Sequence, residues 1–126
     1  MPKTVPDTPS APGAMGPYSV VTEANGFVFV SGQVAVDPIT KERSPDDVES
    51  QTSQVMTNII AILGDLGLGI SDIVKTTIFL ADINDFSKVN EIYAGFLDAE
   101  PPARSTVQAG ALPGGFLVEI EVVAAR

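Results

Sequence analysis

One arginine and two glutamates in the last quarter of the chain have side chains that can bind an anionic ligand and accept a proton from water. Arg104 lies in the run Pro-Pro-Ala-Arg-Ser-Thr-Val, and Glu119 and Glu121 alternate with apolar residues further along. A guanidinium is a planar partner for a ligand carboxylate, and a glutamate can act as a general base towards water. Two other interpretations stay open. Arg104 can instead cap carbonyls or pair with an acid, and the glutamates can form a solvated strand face.

The residue types that are missing narrow the chemistry further. The chain has no histidine and no cysteine. Thiolate nucleophiles, disulfides, Ser–His or Cys–His arrangements and the common zinc sites are therefore excluded. Any catalysis must use carboxylates, hydroxyls, lysine, arginine, backbone amides and water.

Charge and length limit the possible partners. The 126 residues suit one domain, and a domain of this size gains stability from oligomerisation. The net charge is −9, from 16 acidic and 7 basic residues, so the surface repels phosphate and no nucleic-acid partner is expected. The longest apolar run is far shorter than the ~18 residues that span a bilayer. Because the N-terminus also lacks the apolar segment of a secretory signal, we expect a cytoplasmic protein with no membrane partner.

A fold of strands and helices must position the candidate residues. Residues 1–17 hold five of the ten prolines and are predicted to form an extended or mobile arm, followed by a single domain over residues 18–126. Asn25-Gly26 predicts a hairpin turn between two strands. The predicted strands are Tyr18–Glu23, Phe27–Gly32, Ile73–Leu80, Ala103–Ala109 and Leu117–Ala124.

Two helices are predicted between these strands. Ser44 is the predicted N-cap of the first, with Pro45 at its first position and Gly67 just beyond its end. Asn84 or Asp85 is expected to cap the second. The resulting order ββαβαββ predicts a two-layer α/β domain, with helices packed on one face of a sheet.

The alternation of the last two strands predicts which residues share a face. Val118, Ile120 and Val122 suit the layer beneath the helices, so Glu119 points to the other side. Arg104 shares a face with Thr106 on the preceding strand. The helix-free face is expected to carry both apolar and polar side chains. It can either stay exposed to solvent or be buried in a ring of subunits with clefts between them.

Three residues near the first hairpin are weaker candidates. Tyr18 can donate a hydrogen bond to a ligand, although a partly buried structural tyrosine is the alternative. Gly32, after Ser31, lets backbone amides approach a ligand, although a bulge or turn explains the glycine equally well.

Several runs of residues, taken in order, resemble one known family. These runs are Gly-Pro-Tyr-Ser at 16–19, Val-Ser-Gly-Gln at 30–33, Val-Lys-Thr-Thr-Ile-Phe-Leu at 74–80, Asp-Phe at 85–86, Val-Asn-Glu-Ile-Tyr at 89–93, Pro-Ala-Arg-Ser at 102–105 and Val-Glu-Ile-Glu at 118–121. With their spacings, they resemble the RidA/YjgF family of reactive-intermediate deaminases from about Ala11 to the C-terminus.

The resemblance implies a fold, an assembly and an activity. The fold is the chorismate-mutase-like α/β domain, assembled as a homotrimer whose sheets form a central β-barrel with three active sites in clefts between subunits. The activity is hydrolysis of enamines and imines, such as 2-aminoacrylate, 2-iminopropanoate and 2-iminobutanoate, to 2-oxo acids and ammonia. No metal or other cofactor is expected, and the only partners are the small imino or 2-oxo acid and further copies of the chain.

The resemblance also assigns roles to individual residues. Arg104 matches the arginine that binds the substrate carboxylate, and Glu119 matches the glutamate that orients the attacking water. The other implied pocket positions are Tyr18, Ser31, Gly32, Asn90 and Thr106. Thr106 departs from the cysteine found in many members, which excludes any role that needs a thiol.

Other functions compete with this one. The same cleft can hold a 2-oxo acid without turnover, as a binding or regulatory module. An endoribonuclease of the L-PSP type is a second alternative, which the acidic charge and the absence of histidine disfavour. A holdase on an exposed apolar surface is a third, with no specific sequence feature to support it.

Overall fold

The computed structural model describes residues 2–126 and has the predicted order of strands and helices. Its elements are β1 (Val21–Ala24), β2 (Phe27–Gln33), α1 (Val48–Asp65), β3 (Ile73–Leu80), α2 (Phe86–Ala94), β4 (Ala103–Gln108) and β5 (Val118–Ala125). Short 3₁₀ turns occupy residues 70–72, 83–85 and 113–115. Among residues 2–126, neither helix has the length and apolar character needed to span a bilayer.

The first hairpin turns where the sequence predicts. Asn25 and Gly26 have φ values of 53° and 82°, the left-handed pair that a two-residue hairpin turn requires. Ala24 is paired with Phe27 across the turn. The first strand begins later than predicted, at Val21 rather than Tyr18.

Helix α1 begins three residues later than predicted, because Asp47 rather than Ser44 is its N-cap. Asp47 has extended backbone angles, and its side chain accepts a hydrogen bond from the Ser50 amide at 2.7 Å. Ser44 instead donates its own amide to Ala35, so a loop pairing holds it before the helix starts. The C-terminus agrees with the prediction, since Gly67 is left-handed (φ 75°) and closes the helix.

The five strands form one sheet in the order β1-β2-β5-β3-β4. Strands β3 and β4 are parallel and are joined by α2, and every other neighbouring pair is antiparallel. Val118, Ile120 and Val122 of β5 are buried with α1, as the alternation predicts. The two helices therefore cover one face of the sheet, and the other face carries Glu119 and Glu121.

The proline-rich segment contacts the domain at two points. Thr4 exchanges two backbone hydrogen bonds with Glu23 of β1. The amide and hydroxyl of Ser10 both donate to the carboxylate of Asp65, at 2.8 and 2.7 Å. The segment thus runs along the edge strand and the end of α1. The division into an arm (1–17) and a domain (18–126) remains a prediction.

Candidate functional site

The first group of candidate residues surrounds Glu119 on the helix-free side of β5. A cavity of about 660 Å³, here called the glutamate cavity, opens at this point. Its lining residues are Met15, Tyr18, Ser31, Gly32, Val34, Pro113, Gly114, Phe116, Glu119 and Glu121. Glu121 therefore belongs to the cavity, a point that the sequence left open.

Gly32 makes room for the Glu119 carboxylate. The pairing of β2 with β5 is irregular between Val30 and Gln33, so Gly32 lies in a bulge beside Glu119. A β-carbon at Gly32 would lie 2.8 Å from Glu119 Cδ, closer than real side chains approach. A residue of any other type at this position would displace the carboxylate.

The surroundings of Glu119 favour its protonated form. Partial burial raises the pKa of the Glu119 carboxyl above its ordinary value of 4.5, and the neighbouring charge of Glu121 raises it further. A carboxylate with a raised pKa is a stronger base at neutral pH than an ordinary surface glutamate.

Two further predicted residues complete this cavity. The hydroxyl of Ser31 donates to the Ser19 carbonyl at 2.6 Å, and its amide donates to the Val20 carbonyl. This arrangement fixes the bulge that contains Gly32. Tyr18 is 48% exposed, and its hydroxyl accepts a hydrogen bond from the Met15 amide at 3.2 Å. The phenol proton is therefore free to be donated at the cavity mouth.

Arg104 lies in a separate cavity beside α2. This arginine cavity, of about 410 Å³, is lined by Asn90, Tyr93, Ala94, Leu97, Asp98, Pro101, Pro102 and Arg104. Arg104 donates to the Asn90 side-chain oxygen at 2.6 Å. Among residues 2–126, the one ion pair joins Arg126 to Glu23, so no carboxylate of this part of the chain forms an ion pair with Arg104.

Two aromatic rings and a hydroxyl support the arginine. The guanidinium carbon lies 5.4 Å from the Phe86 ring centre and 5.5 Å from that of Tyr93. The Tyr93 hydroxyl is hydrogen-bonded to buried Thr76 at 2.7 Å, which fixes the ring. The sequence placed Phe86 and Tyr93 only in the runs that carry the family resemblance. Their spacing of four and three residues from Asn90 on the same helix was the available signal.

Thr106 lies two residues beyond Arg104 on the same face of β4. Its hydroxyl oxygen is buried and has no hydrogen-bond partner within residues 2–126. A buried hydroxyl without a partner is uncommon in folded proteins. Thr106 lines neither cavity in a single chain.

Arg104 and Glu119 lie on opposite faces of the sheet. Arg104 is paired with Thr76, a buried residue on the helix side, and contacts α2. Glu119 is paired with Phe79 on the other face. One chain thus brings Tyr18, Ser31, Gly32 and Glu119 together at the glutamate cavity, and Arg104 with Asn90 at the arginine cavity. It does not join the two groups.

The comparisons with known proteins agree with this fold. Residues 8–126 match the family model described as endoribonuclease L-PSP. The mouse 2-iminobutanoate/2-iminopropanoate deaminase is 40% identical over 124 residues, 98% of this chain and 92% of that protein. The chloroplastic Reactive Intermediate Deaminase A of Arabidopsis thaliana is 48% identical over 122 residues, 97% of this chain and 65% of that protein.

A solved structure gives the same result in three dimensions. The crystal structure of E. coli TdcF with bound serine superposes with a TM-score of 0.91 at 42% identity, covering 98% of each chain. Identity at this level over nearly the whole length shows common descent as well as a common fold. The chain therefore belongs to the RidA/YjgF family, which the endoribonuclease L-PSP model describes.

Proposed function

We propose that this protein hydrolyses 2-imino acids, and the enamines that tautomerise to them, to 2-oxo acids and ammonia. The observation that carries the proposal is the pair of complementary groups described above. They are an arginine that forms no ion pair among residues 2–126 and a glutamate of raised pKa facing a cavity. Related proteins named as imine deaminases support the same activity.

In the proposed reaction, Arg104 binds the substrate carboxylate. Asn90 accepts a hydrogen bond from one guanidinium nitrogen, and the nearby rings of Phe86 and Tyr93 restrict the side chain. The remaining N–H groups are available for two parallel hydrogen bonds to a carboxylate. The TdcF structure contains serine, a small amino acid with such a carboxylate, which supports a ligand of this class.

Glu119 acts on water in the proposed mechanism. It accepts a proton from the water as the oxygen attacks the imine carbon, which gives a tetrahedral carbinolamine. The proton passes to the nitrogen, Glu119 then accepts the hydroxyl proton of the carbinolamine and transfers it to the same nitrogen, and ammonia leaves as the C–N bond breaks and the C=O bond forms. An imine is already electrophilic, so positioning and one general base suffice without a metal or another cofactor.

The proposed active site requires two copies of the chain, and we propose a homotrimer with a central β-barrel. Arg104 and Glu119 face opposite sides of one sheet, so a small imino acid can contact both only if they come from different subunits. The helix-free face also exposes apolar side chains, with Phe27 46%, Phe29 44% and Val107 46% exposed. Burial of such a face between subunits is favourable.

A non-catalytic binding module is the second candidate function. The serine bound to TdcF supports it, because that ligand is held and is not an imine. Arg104 would serve such a module equally well. Only turnover separates the two functions.

Imine hydrolysis in the presence of a competing trap tests the proposal. An amino-acid oxidase generates 2-imino acids from L-amino acids, and semicarbazide converts them to semicarbazones that absorb light. Wild-type protein is expected to suppress semicarbazone formation. Arg104→Ala is expected to lose at least about tenfold in kcat/KM, because the substrate carboxylate then has no guanidinium to bind.

Arg126→Ala is the matched control, since it removes the same charge from a residue that lines neither cavity. It should keep wild-type activity. Absence of suppression by the wild type across several imino acids would reject the deaminase. Binding of 2-oxobutanoate without turnover would then favour the binding module.

A further inference from the structure

The turn at Pro113–Gly115 lines the glutamate cavity, and two of its three residues are glycines. Gly114 and Gly115 are both left-handed, with φ values of 79° and 72°. Two successive glycines have the largest backbone freedom to lose on ordering. The Gly115 amide donates to Leu112, and the turn otherwise needs a contact from another part of the chain to hold its shape.

Arg43 supplies that contact from outside the cavity. Its Nη1 donates to the Gly114 carbonyl, and its guanidinium carbon lies 3.9 Å from the ring centre of buried Phe116. Phe116 and Gly114 both line the glutamate cavity, whereas Arg43 is not among its lining residues. One side chain, that of Arg43, therefore contacts both Gly114 and Phe116, the residues on either side of Gly115.

The segment that carries Arg43 is itself well fixed. Arg43 is bridged to Val36, and the Asp37 carboxylate accepts the amides of Ile39 and Thr40 at 2.8 and 3.0 Å. Val34, just before this loop, also lines the glutamate cavity. Arg43 thus joins a hydrogen-bonded loop, which follows the cavity-lining residue Val34, to the glycine turn that also lines the cavity.

We infer that Arg43 is a positioning residue that fixes the glycine turn and so presets the width of the glutamate cavity. This inference rests on the proposed function. Arg43 contacts neither Glu119 nor Arg104, so its loss leaves the reacting groups in place. A loosened turn must be ordered each time a substrate binds, and that cost weakens binding without slowing the chemical step.

Three substitutions at Arg43 separate its contributions. Arg43→Ala removes the hydrogen bond and the stacking, Arg43→Met keeps the stem over Phe116 without a donor, and Arg43→Lys keeps a donor without the planar group. We expect Arg43→Ala and Arg43→Met to raise KM for 2-iminobutanoate roughly fivefold with kcat unchanged, as suits the loss of about one hydrogen bond. Arg43→Lys should recover part of the loss.

The pH profile and a charge control exclude an electrostatic explanation. The raised pKa of Glu119 comes from burial and from Glu121. The acid limb of kcat/KM should therefore stay in place in Arg43→Ala. Lys41→Gln removes a positive charge from the same loop and should leave KM unchanged. A displaced acid limb, or an equal effect of Lys41→Gln, would show that Arg43 acts through its charge and overturn the inference.

Two measurements without turnover keep the inference separate from the proposed function. Amide relaxation by NMR should show increased motion at Gly114 and Gly115 in Arg43→Ala, and the affinity for 2-oxobutanoate should fall in parallel with the rise in KM. If the wild type shows no turnover, the proposed function fails and these measurements still decide the role of Arg43. Unchanged glycine relaxation, or unchanged KM and affinity, would overturn it.

Discussion

Arg104 and Glu119 point to opposite faces of one sheet, with strand β3 lying between the strands that carry them. Arg104 lies beneath α2 beside Asn90, and Glu119 lies over Gly32 on the face that the helices leave uncovered. The separation has a direct consequence for any reaction that uses both residues. A substrate of three or four carbons can contact both only where two subunits meet.

This arrangement predicts complementation between two inactive variants. Arg104→Ala and Glu119→Gln should each be nearly inactive alone. Mixed after unfolding and joint refolding, they should regain activity, because some interfaces then combine an intact Arg104 with an intact Glu119. Random assembly makes about a quarter of the interfaces complete in a cyclic oligomer.

The controls for this experiment are the two variants refolded separately and the same two mixed without unfolding. Neither should recover activity. If the joint refold also stays inactive while light scattering shows normal oligomers, the two residues do not share a site between subunits.

Gly32 is expected to be essential for a reason unrelated to backbone flexibility. Gly32→Ala places a methyl group 2.8 Å from Glu119 Cδ and forces the carboxylate to move. A displacement of about 1 Å in a reacting group can cost about 100-fold in rate, so kcat/KM should fall at least about tenfold while the protein stays folded. The measurement is steady-state imine hydrolysis together with a thermal melt.

Gly110→Ala is the matched control for Gly32→Ala. Within residues 2–126, a β-carbon at Gly110 meets nothing within 4 Å, and the φ of Gly110 does not lie in the left-handed region. Its activity should remain close to wild type. Full activity of Gly32→Ala would mean that Glu119 can move without consequence, which would argue against its role as the base.

Local patterns predicted most of the elements, and they did so where the signal lies within a few residues. The Asn25-Gly26 turn, the bounds of β3 and the buried set on β5 all follow from short-range sterics and alternation. On β4, alternation alone does not say whether the face with Arg104 or the face with Ser105 lies towards the helices. The helix-side position of Arg104 became visible only with the packing of α2.

The features that sequence reasoning missed depend on distant pairings. The contact between Gly32 and Glu119 requires the register of β2 against β5, which no local pattern specifies. The hold of Arg43 on the glycine turn likewise joins two loops far apart in the chain. The predicted helix start at Ser44 was wrong for a related reason, because the Ser44 amide donates a hydrogen bond to the Ala35 carbonyl in a loop.

The raised pKa of Glu119 predicts that its ionised carboxylate lowers the stability of the fold at neutral pH. A carboxyl whose pKa is higher in the folded than in the unfolded protein stabilises the fold fully when the pH is below its unfolded pKa, about 4.5 here. This stabilisation is lost as the pH rises through the folded pKa. Glu119→Gln should therefore melt at a higher temperature than wild type at neutral pH.

The advantage of Glu119→Gln should shrink as the pH falls below the ordinary glutamate value, where both proteins carry a neutral group. Glu91→Gln, at an exposed position of α2, removes the same charge and should change the melting temperature little. Glu121→Gln should also raise the neutral-pH melting temperature, because a like charge beside Glu119 is gone. A Glu119→Gln protein that melts below wild type at neutral pH would contradict the assignment.

The identity of the α1 N-cap gives a test of the fold itself. Asp47 accepts the Ser50 amide at 2.7 Å, and this backbone hydrogen bond lowers the pKa of the Asp47 carboxyl below its ordinary value of 3.8. The ionised cap thus stabilises the fold above that value, and the contribution disappears as the pH falls through the lowered folded pKa. Asp47→Ala should lower the melting temperature at neutral pH by several degrees, because a helix loses its cap. Ser44→Ala should have a much smaller effect, since Ser44 acts through its backbone amide, and equal effects of the two substitutions would restore Ser44 as the cap.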